Sequence, residues 1–419
     1  MSTDTEVVVI GAGLAGLSAA LTLRASGIDT IVLEAGDAVG GRLRTDHIDG
    51  FTLDRGFAVH NPAYPEAAAL LDHDLLELRP FEPGVAYRTD SSVSYLSHPR
   101  GGWRGLRSTL GVARHHARTA AAFAAYAVGC AAASQEALQR RPRMSGRAAL
   151  RQAGVDNAGM RALVLPFLQG VLLESQLETS RRVLDEILAS FVKGTPAVPA
   201  GGMQAICEQL ASRLPTDSLH LGRPVTELML HDKGVTVHSD GGSVSARKVI
   251  IAVSREALAA LLPDVRTGRS RAVTTWYHRA DCSGADLLDG RPWVLTDQLR
   301  RTPVANTVVL TNAAPSYAPA GETLVSTSVI GIHREISADA MRKHLSYLYG
   351  VDASGWDEIA RYEIAHALPD FTSTTPEVFT QPRRNVWLAG DYCDSPSING
   401  ALRSGRTTAE SVRTWLTRS

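Results

Sequence analysis

Residues 7–46, VVVIGAGLAGLSAALTLRASGIDTIVLEAGDAVGGRLRTD, constrain the fold of this chain more than any other stretch. The β-branched run Val7 to Ile10 breaks into Gly11-Ala-Gly13-Leu14-Ala15-Gly16, and an Ala/Leu-rich segment with helical periodicity follows until about Gly27. The pattern is strand, tight turn, helix. A second apolar strand, Thr30 to Leu33, runs into Glu34 and Ala35, and Glu34 lies 18 residues beyond Gly16, where a carboxylate meets a ribose. The unit reads as a dinucleotide site. Gly11 permits the sharp turn, Gly13 lets the backbone approach a pyrophosphate, and Gly16 allows the helix to lie close on the strand. The free amides of the first helical turn, which includes Leu14 and Ala15, then face the phosphates. Glu34 accepts hydrogen bonds from ribose hydroxyls and repels a 2′-phosphate.

The 419 residues suffice for two or three domains with real cores, and 43 basic residues balance 43 acidic ones. Nothing in that balance points to nucleic acid. Basic residues are nearly all arginine, and the four lysines, Lys193, Lys233, Lys248 and Lys343, leave few candidates for a catalytic amine. Cys130, Cys207, Cys282 and Cys393 form no CxxC pair, so neither a zinc site nor a redox dithiol is indicated, and a reducing, cytoplasmic setting is the default. The N-terminus carries acid and enters the first strand at once, so no secretory signal is expected. The apolar segment 120–133 is 14 residues long, against the roughly 20 needed to span a bilayer. Arg114, His115, His116 and Arg118 precede it, which allows membrane contact, but a buried or dimer-facing helix is the favoured reading. Monomer and homodimer both stay open.

Changes in character divide the chain into five parts. Residues 1–78 form the first part of a nucleotide-binding domain, and residues 79–198 a helix-rich insertion with strand-like pieces at 85–88 and 93–96 and helices expected over 110–139, 146–153, 157–173 and 180–191. Residues 199–265 return to the nucleotide domain, with strands at 224–230, 234–238, 243–246 and 248–253. A β-rich substrate part follows over 266–384, and residues 385–419 close the nucleotide domain with a strand ending at Gly390-Asp391 and a last helix from about Gly400. The expected class is therefore α/β: a discontinuous Rossmann-like domain of glutathione-reductase type with a mixed helical and β-sheet substrate domain.

Two further motifs turn a dinucleotide into a flavin dinucleotide. Gly40 and Gly41 let a loop fold over the pyrophosphate, and Arg42 supplies countercharge and paired donors. Far along the chain, Asp391 at a strand end is placed to bind a ribityl chain. Ser397-Ile398-Asn399-Gly400-Ala401 presents a helix N-terminus that stabilises negative charge on a reduced isoalloxazine. The cofactor expected is FAD, held without a covalent bond.

On these residues the chain resembles the FAD-dependent superfamily of amine oxidases, protoporphyrinogen oxidases and phytoene desaturases. The similar segments are GAGLAGLSAALTL, VLEA and VGGRLRT, then PAGGMQAICEQLASRL, RPVTEL and KVIIAV, and finally VWLAGDY and INGALRSG. LDRGFAVHNPAYPE is similar to the desaturase-like branch, which implies that Gly56, Phe57 and Ala58 lie at the flavin with His60 close by, and that the Val225 backbone contacts adenine. Three departures bear on chemistry. RAVTTWYHRAD lacks the lysine that amine oxidases of this superfamily place near the flavin, Ser397 and Ile398 stand where their aromatic cage residue belongs, and Cys393 is out of register for covalent attachment.

The resemblance implies an oxidoreductase that removes a hydride from a C–C or C–N bond of a largely apolar small molecule onto the flavin, with oxygen or a quinone as acceptor. A single dinucleotide fingerprint and no NAD domain point the same way. His60 is the candidate base, since it follows the Gly56–Val59 loop and titrates near neutrality when unperturbed. A hydrogen-bonded loop histidine is the competing reading. Amine oxidation, a redox-neutral FAD-dependent isomerisation and a non-catalytic FAD-binding role remain as alternatives.

Overall fold

The computed structural model describes residues 4–90, 92–97, 116–266, 268–375 and 378–418. Its first sheet has seven strands, five of them in parallel order: Val386–Leu388, Gly242–Ile251, Thr5–Ile10, Thr30–Leu33 and Leu219–His220. Three separated stretches of chain supply these strands. Val7, Val8 and Val9 are fully buried, as a parallel strand covered on both faces requires. Gly11 follows with φ +102°, and a Cβ there would stand 2.7 Å from the Ala252 carbonyl oxygen, so only glycine fits the turn. The helix Leu14–Ala25 then lies so close that a Cβ on Gly16 would come within 1.9 Å of the Gly11 oxygen. The closing helix, Ile398–Arg418, covers it and accepts a hydrogen bond from the Ser18 hydroxyl at the Leu402 carbonyl.

Residues 242–251 form one ten-residue strand where two were expected. Its first half pairs antiparallel with Gly234–Ser239 and its second half parallel with Thr5–Ile10, so the chain changes partner without a break.

The second sheet also has seven strands, in the order Asp357–Pro369, Ser270–Ala280, Thr323–Ile330, Val304–Val309, Leu295–Asp297, Gly84–Arg88 and Val93–Ser97. Two of these come from the part expected to be helix-rich, joined through the parallel pairing of Leu295–Asp297 with Gly84–Arg88. The 13-residue strand Asp357–Pro369 escaped the sequence reading, because its DEIARYEIAHALP pattern mixes charged with apolar residues and sits at a sheet edge. On the far face, Ala338–Tyr349 packs against Trp276, Val325 and Val329.

Helices Ala117–Ala132, Leu165–Leu172 and Arg181–Lys193 cover the near face with a core of Leu163, Leu168, Leu184 and Leu188. The helix expected over 157–173 is interrupted by a π turn, Met160–Val164, before Pro166 at the start of the next helix. A π turn rotates the side chains that follow it, and here Leu163, Val164 and Phe167 reach the interior cavity. Asp185, buried on Arg181–Lys193, accepts from Tyr126 at 2.5 Å and Arg141 at 2.8 Å, which fixes Ala117–Ala132 to its neighbour. Leu110, Arg114 and His115 lie outside the described residues. No described helix is long and apolar enough to cross a membrane.

Candidate active site

A cavity of about 1280 Å³ opens at the C-terminal edge of the first sheet, where Ile10, Leu33, Ala252 and Gly390 end or follow their strands. Ligands of open parallel sheets bind at this edge, because the loops diverge there. The sequence-derived cofactor residues gather on its wall: Gly11, Gly13, Leu14, Ala15, Glu34, Ala35, Gly40, Gly41, Arg42, Gly56, Phe57, Ala58, Val225, Gly390, Asp391, Ile398 and Ala401. Gly16 lies behind them, under the turn.

Local geometry suits a diphosphate and its sugars. The helix Leu14–Ala25 has no side-chain cap at Gly13, so its first amides face the cavity. A Cβ on Gly13 would meet nothing nearer than Gly41 Cα at 4.0 Å, so this glycine leaves open space at the helix end. Glu34 accepts from the Ala12 amide at 2.6 Å and the Gly36 amide at 2.8 Å, each with a different carboxylate oxygen. Each oxygen retains a second lone pair for a ribose hydroxyl. Arg42 donates to Asp391 at 2.6 Å and to the Ala367 carbonyl at 2.9 Å, linking the first and last thirds of the chain across the cavity. Its side chain is 43% exposed while that of Asp391 is 5% exposed, so the carboxylate is fixed and the guanidinium faces open space. At the last helix, the Ser397 hydroxyl accepts from the Gly400 amide, leaving the Ile398 amide at the cavity end.

Beyond these groups the wall becomes apolar. Phe123, Phe167, Phe191, Val85, Leu163 and Val171 enclose a chamber between the helical layer and the second sheet, continuous with the nucleotide end. No lysine lines the cavity among the described residues. Cys393 does not line it either, and burial pushes its thiol above the usual range.

His60 departs from its expected place beside the flavin. It is fully buried and absent from the cavity wall, with its Nε2 3.2 Å from Nε2 of His73. Desolvation, with the charge of His73 behind it, holds His60 down to about 4, so it stays neutral near pH 7. Its backbone pairs with Ala197, and that bridge turns the side chain behind the Gly56–Val59 loop. Tyr64 does line the cavity, whereas Trp276 and Tyr277 are buried in the second sheet.

Asp54 is the group that sequence reasoning passed over. It is 5% exposed, accepts from Thr45 at 2.6 Å, the Met203 amide at 2.8 Å and Tyr317 at 3.1 Å, while Tyr277 donates to its backbone carbonyl at 2.7 Å. It thus joins the Phe51–Asp54 strand, the start of the helix at Gln204 and the second sheet immediately before the Arg55–Ala58 loop. Burial raises its carboxyl to about 6 against the pull of these donors. The Asp-Arg-Gly triplet was visible, but three of its four partners, Met203, Tyr277 and Tyr317, come from distant sequence.

The model of the family described as flavin containing amine oxidoreductase matches residues 14–413. The chain belongs to this family. Its members named below are oxidoreductases, and it is one by membership. Putrescine oxidase of Kocuria rosea is 30% identical over 282 residues, which are 60% of this chain and 57% of that protein. The matched stretch therefore spans little more than half of that relative. The lycopene-forming phytoene desaturase of Pseudescherichia vulneris is 41% identical over 83 residues, 19% of this chain and 17% of its own. A structure of wild-type putrescine oxidase bound to putrescine superposes with a TM-score of 0.70 at 20% identity, covering 98% of this chain and 99% of that one. The fold is the Rossmann-like domain with a substrate domain that these enzymes share.

Proposed function

We propose that the protein is an FAD-dependent dehydrogenase or desaturase that oxidises a C–C or C–N bond of a largely apolar small molecule. The observation that carries this reading is one continuous cavity with two chemistries. At one end stand an uncapped helix N-terminus, Glu34 and the Arg42–Asp391 pair; at the other stands the aromatic chamber of Phe123, Phe167 and Phe191. Residues 1–78, 199–265 and 385–419 hold the cofactor in this reading. The Leu14 and Ala15 amides and Arg42 bind the pyrophosphate, Glu34 a ribose, Val225 the adenine end, Asp391 the ribityl chain, and Ile398 and Ala401 the flavin end. FAD bound there supplies a two-electron acceptor, reoxidised by oxygen or another direct acceptor such as a quinone. The placement of Cys393 off the wall supports non-covalent binding.

The Gly56-Phe57-Ala58 loop orients the chamber end, and the phenyl walls exclude water from the reacting carbon. With His60 behind the wall and no lysine on it among the described residues, a substrate proton passes to a group on the substrate itself. Amine oxidation is the second reading, favoured by the identity to putrescine oxidase. Anaerobic bleaching of the flavin band against polyenes, porphyrinogens and amines tests both. Bleaching by an apolar polyene or porphyrinogen supports the first reading, and bleaching by amines alone replaces it with the second.

A further inference from the structure

We propose that the substrate is a neutral molecule whose apolar skeleton carries one hydrogen-bonding oxygen, and that Asn306 recognises that oxygen; this rests on the flavoenzyme reading above.

Charge on the chamber wall is already committed. Glu82 is the charged residue lining the chamber among the described residues, and Arg291 holds both of its oxygens at 2.8 and 2.6 Å. Glu34, Arg42, Arg55, Arg223 and Asp391 lie at the nucleotide end or on the flavin loop. An ammonium entering the chamber would lose its water and meet no free carboxylate, which is costly.

Most polar side chains deep in the chamber are also occupied; among the described residues the exceptions are Thr195, which is half-buried at its rim, and Asn306. Thr119 donates to Asp156 at 3.2 Å, Tyr87 to the Leu163 carbonyl at 2.8 Å, and Asn61 to the Ser190 carbonyl at 2.9 Å. Asn306 is 6% exposed and lines the cavity, yet its amide has no partner among the described residues. Its cross-strand neighbour Ser328 is turned to Thr275, 3.1 Å away. The amide fits only because residue 170 is glycine: a Cβ there would stand 2.2 Å from Asn306 Nδ2. A largely apolar wall thus keeps an amide facing the cavity, with donor and acceptor both unpaired, and makes room for it. The polar atoms of this amide face the cavity, so the occupant of the cavity is their hydrogen-bond partner. A carbonyl or hydroxyl oxygen matches it, and a pure hydrocarbon does not.

The test uses the holoenzyme, its Asn306→Leu and Asn306→Asp variants, and trios of probes on a common skeleton, such as β-ionone, its parent hydrocarbon and the corresponding primary amine. Binding is read by titration calorimetry and reduction separately by anaerobic flavin bleaching. Wild-type protein should bind the ketone about fivefold to tenfold more tightly than the other two, the increment of one hydrogen bond. Asn306→Leu should abolish that preference, and Asn306→Asp should shift it to the amine. Equal binding of ketone and hydrocarbon by the wild type, tightest binding of the amine, or a ketone preference that survives Asn306→Leu would overturn the assignment. A ketone preference without bleaching by any redox substrate would leave Asn306 in place and remove the redox reading instead.

Discussion

The two ends of the cavity are built by opposite means. At the nucleotide end, recognition in the proposed reading is done mainly by backbone, with glycines at fixed spacing, a bare helix terminus and strand ends, to which the side chains of Glu34, Arg42 and Asp391 are added. At the chamber end it is done by side chains from Gly84–Arg88, Ala117–Ala132, Leu165–Leu172, Arg181–Lys193 and Val304–Val309, which no local motif connects. Backbone recognition leaves a short, readable signature because only glycine satisfies it. Side-chain recognition spreads over distant positions and leaves none.

The contrast breaks most sharply at two neighbouring glycines. Gly16→Val puts carbon where the Gly11 oxygen already stands, at 1.9 Å for the Cβ alone, and should cost more than about 4 kcal/mol, seen as lost soluble yield or a lost cooperative melt. Gly13→Val, whose nearest neighbour is 4.0 Å away, should fold with the melting temperature of cofactor-free wild type yet retain almost no flavin by absorbance. If both variants behave alike, the division between fold and cofactor at this turn fails.

Behind the cavity, Asp54 and His60 oppose each other. Asp54 titrates at about 6 when folded against 3.8 otherwise, so the folded state holds the extra proton and stability falls as pH rises from about 4 to about 6, by about 3 kcal/mol. His60 titrates at about 4 against 6.5, so its contribution is complete above about 6.5 and is lost as pH falls toward about 4, by a similar amount. Urea unfolding across this range should show Asp54→Asn with stability rising with pH and His60→Gln with stability falling. Parallel profiles for the two variants would refute the assignment.

Asp391→Ala should weaken flavin binding about tenfold to hundredfold, since it removes a charge-assisted partner and leaves Arg42 unpaired; equilibrium dialysis measures it. The smallest expected effect is on turnover in His60→Gln, unchanged within about twofold at neutral pH, because the ring does not reach the cavity. A loss of a hundredfold would return His60 to the chemistry.

What was legible in the sequence follows the same division. Val7–Ile10, Thr30–Leu33 and the Gly-Asp strand end announced themselves because parallel strands buried on both faces are continuous apolar runs bounded by glycine. Asp357–Pro369 did not, since an edge strand alternates with charge. The π turn at Met160–Val164 left no periodic trace, and neither did Asn306, an ordinary strand residue until Gly170 is seen opposite it. His60 was misplaced because sequence distance from a flavin loop says nothing about which side of the loop a ring falls on.

The most direct test of the central claim is the flavin content of the purified protein. The purified protein should be yellow and release close to one FAD per chain on denaturation, with none left attached to the polypeptide. A colourless protein that takes up no FAD on reconstitution, or a flavin that stays covalently bound, would contradict the claim.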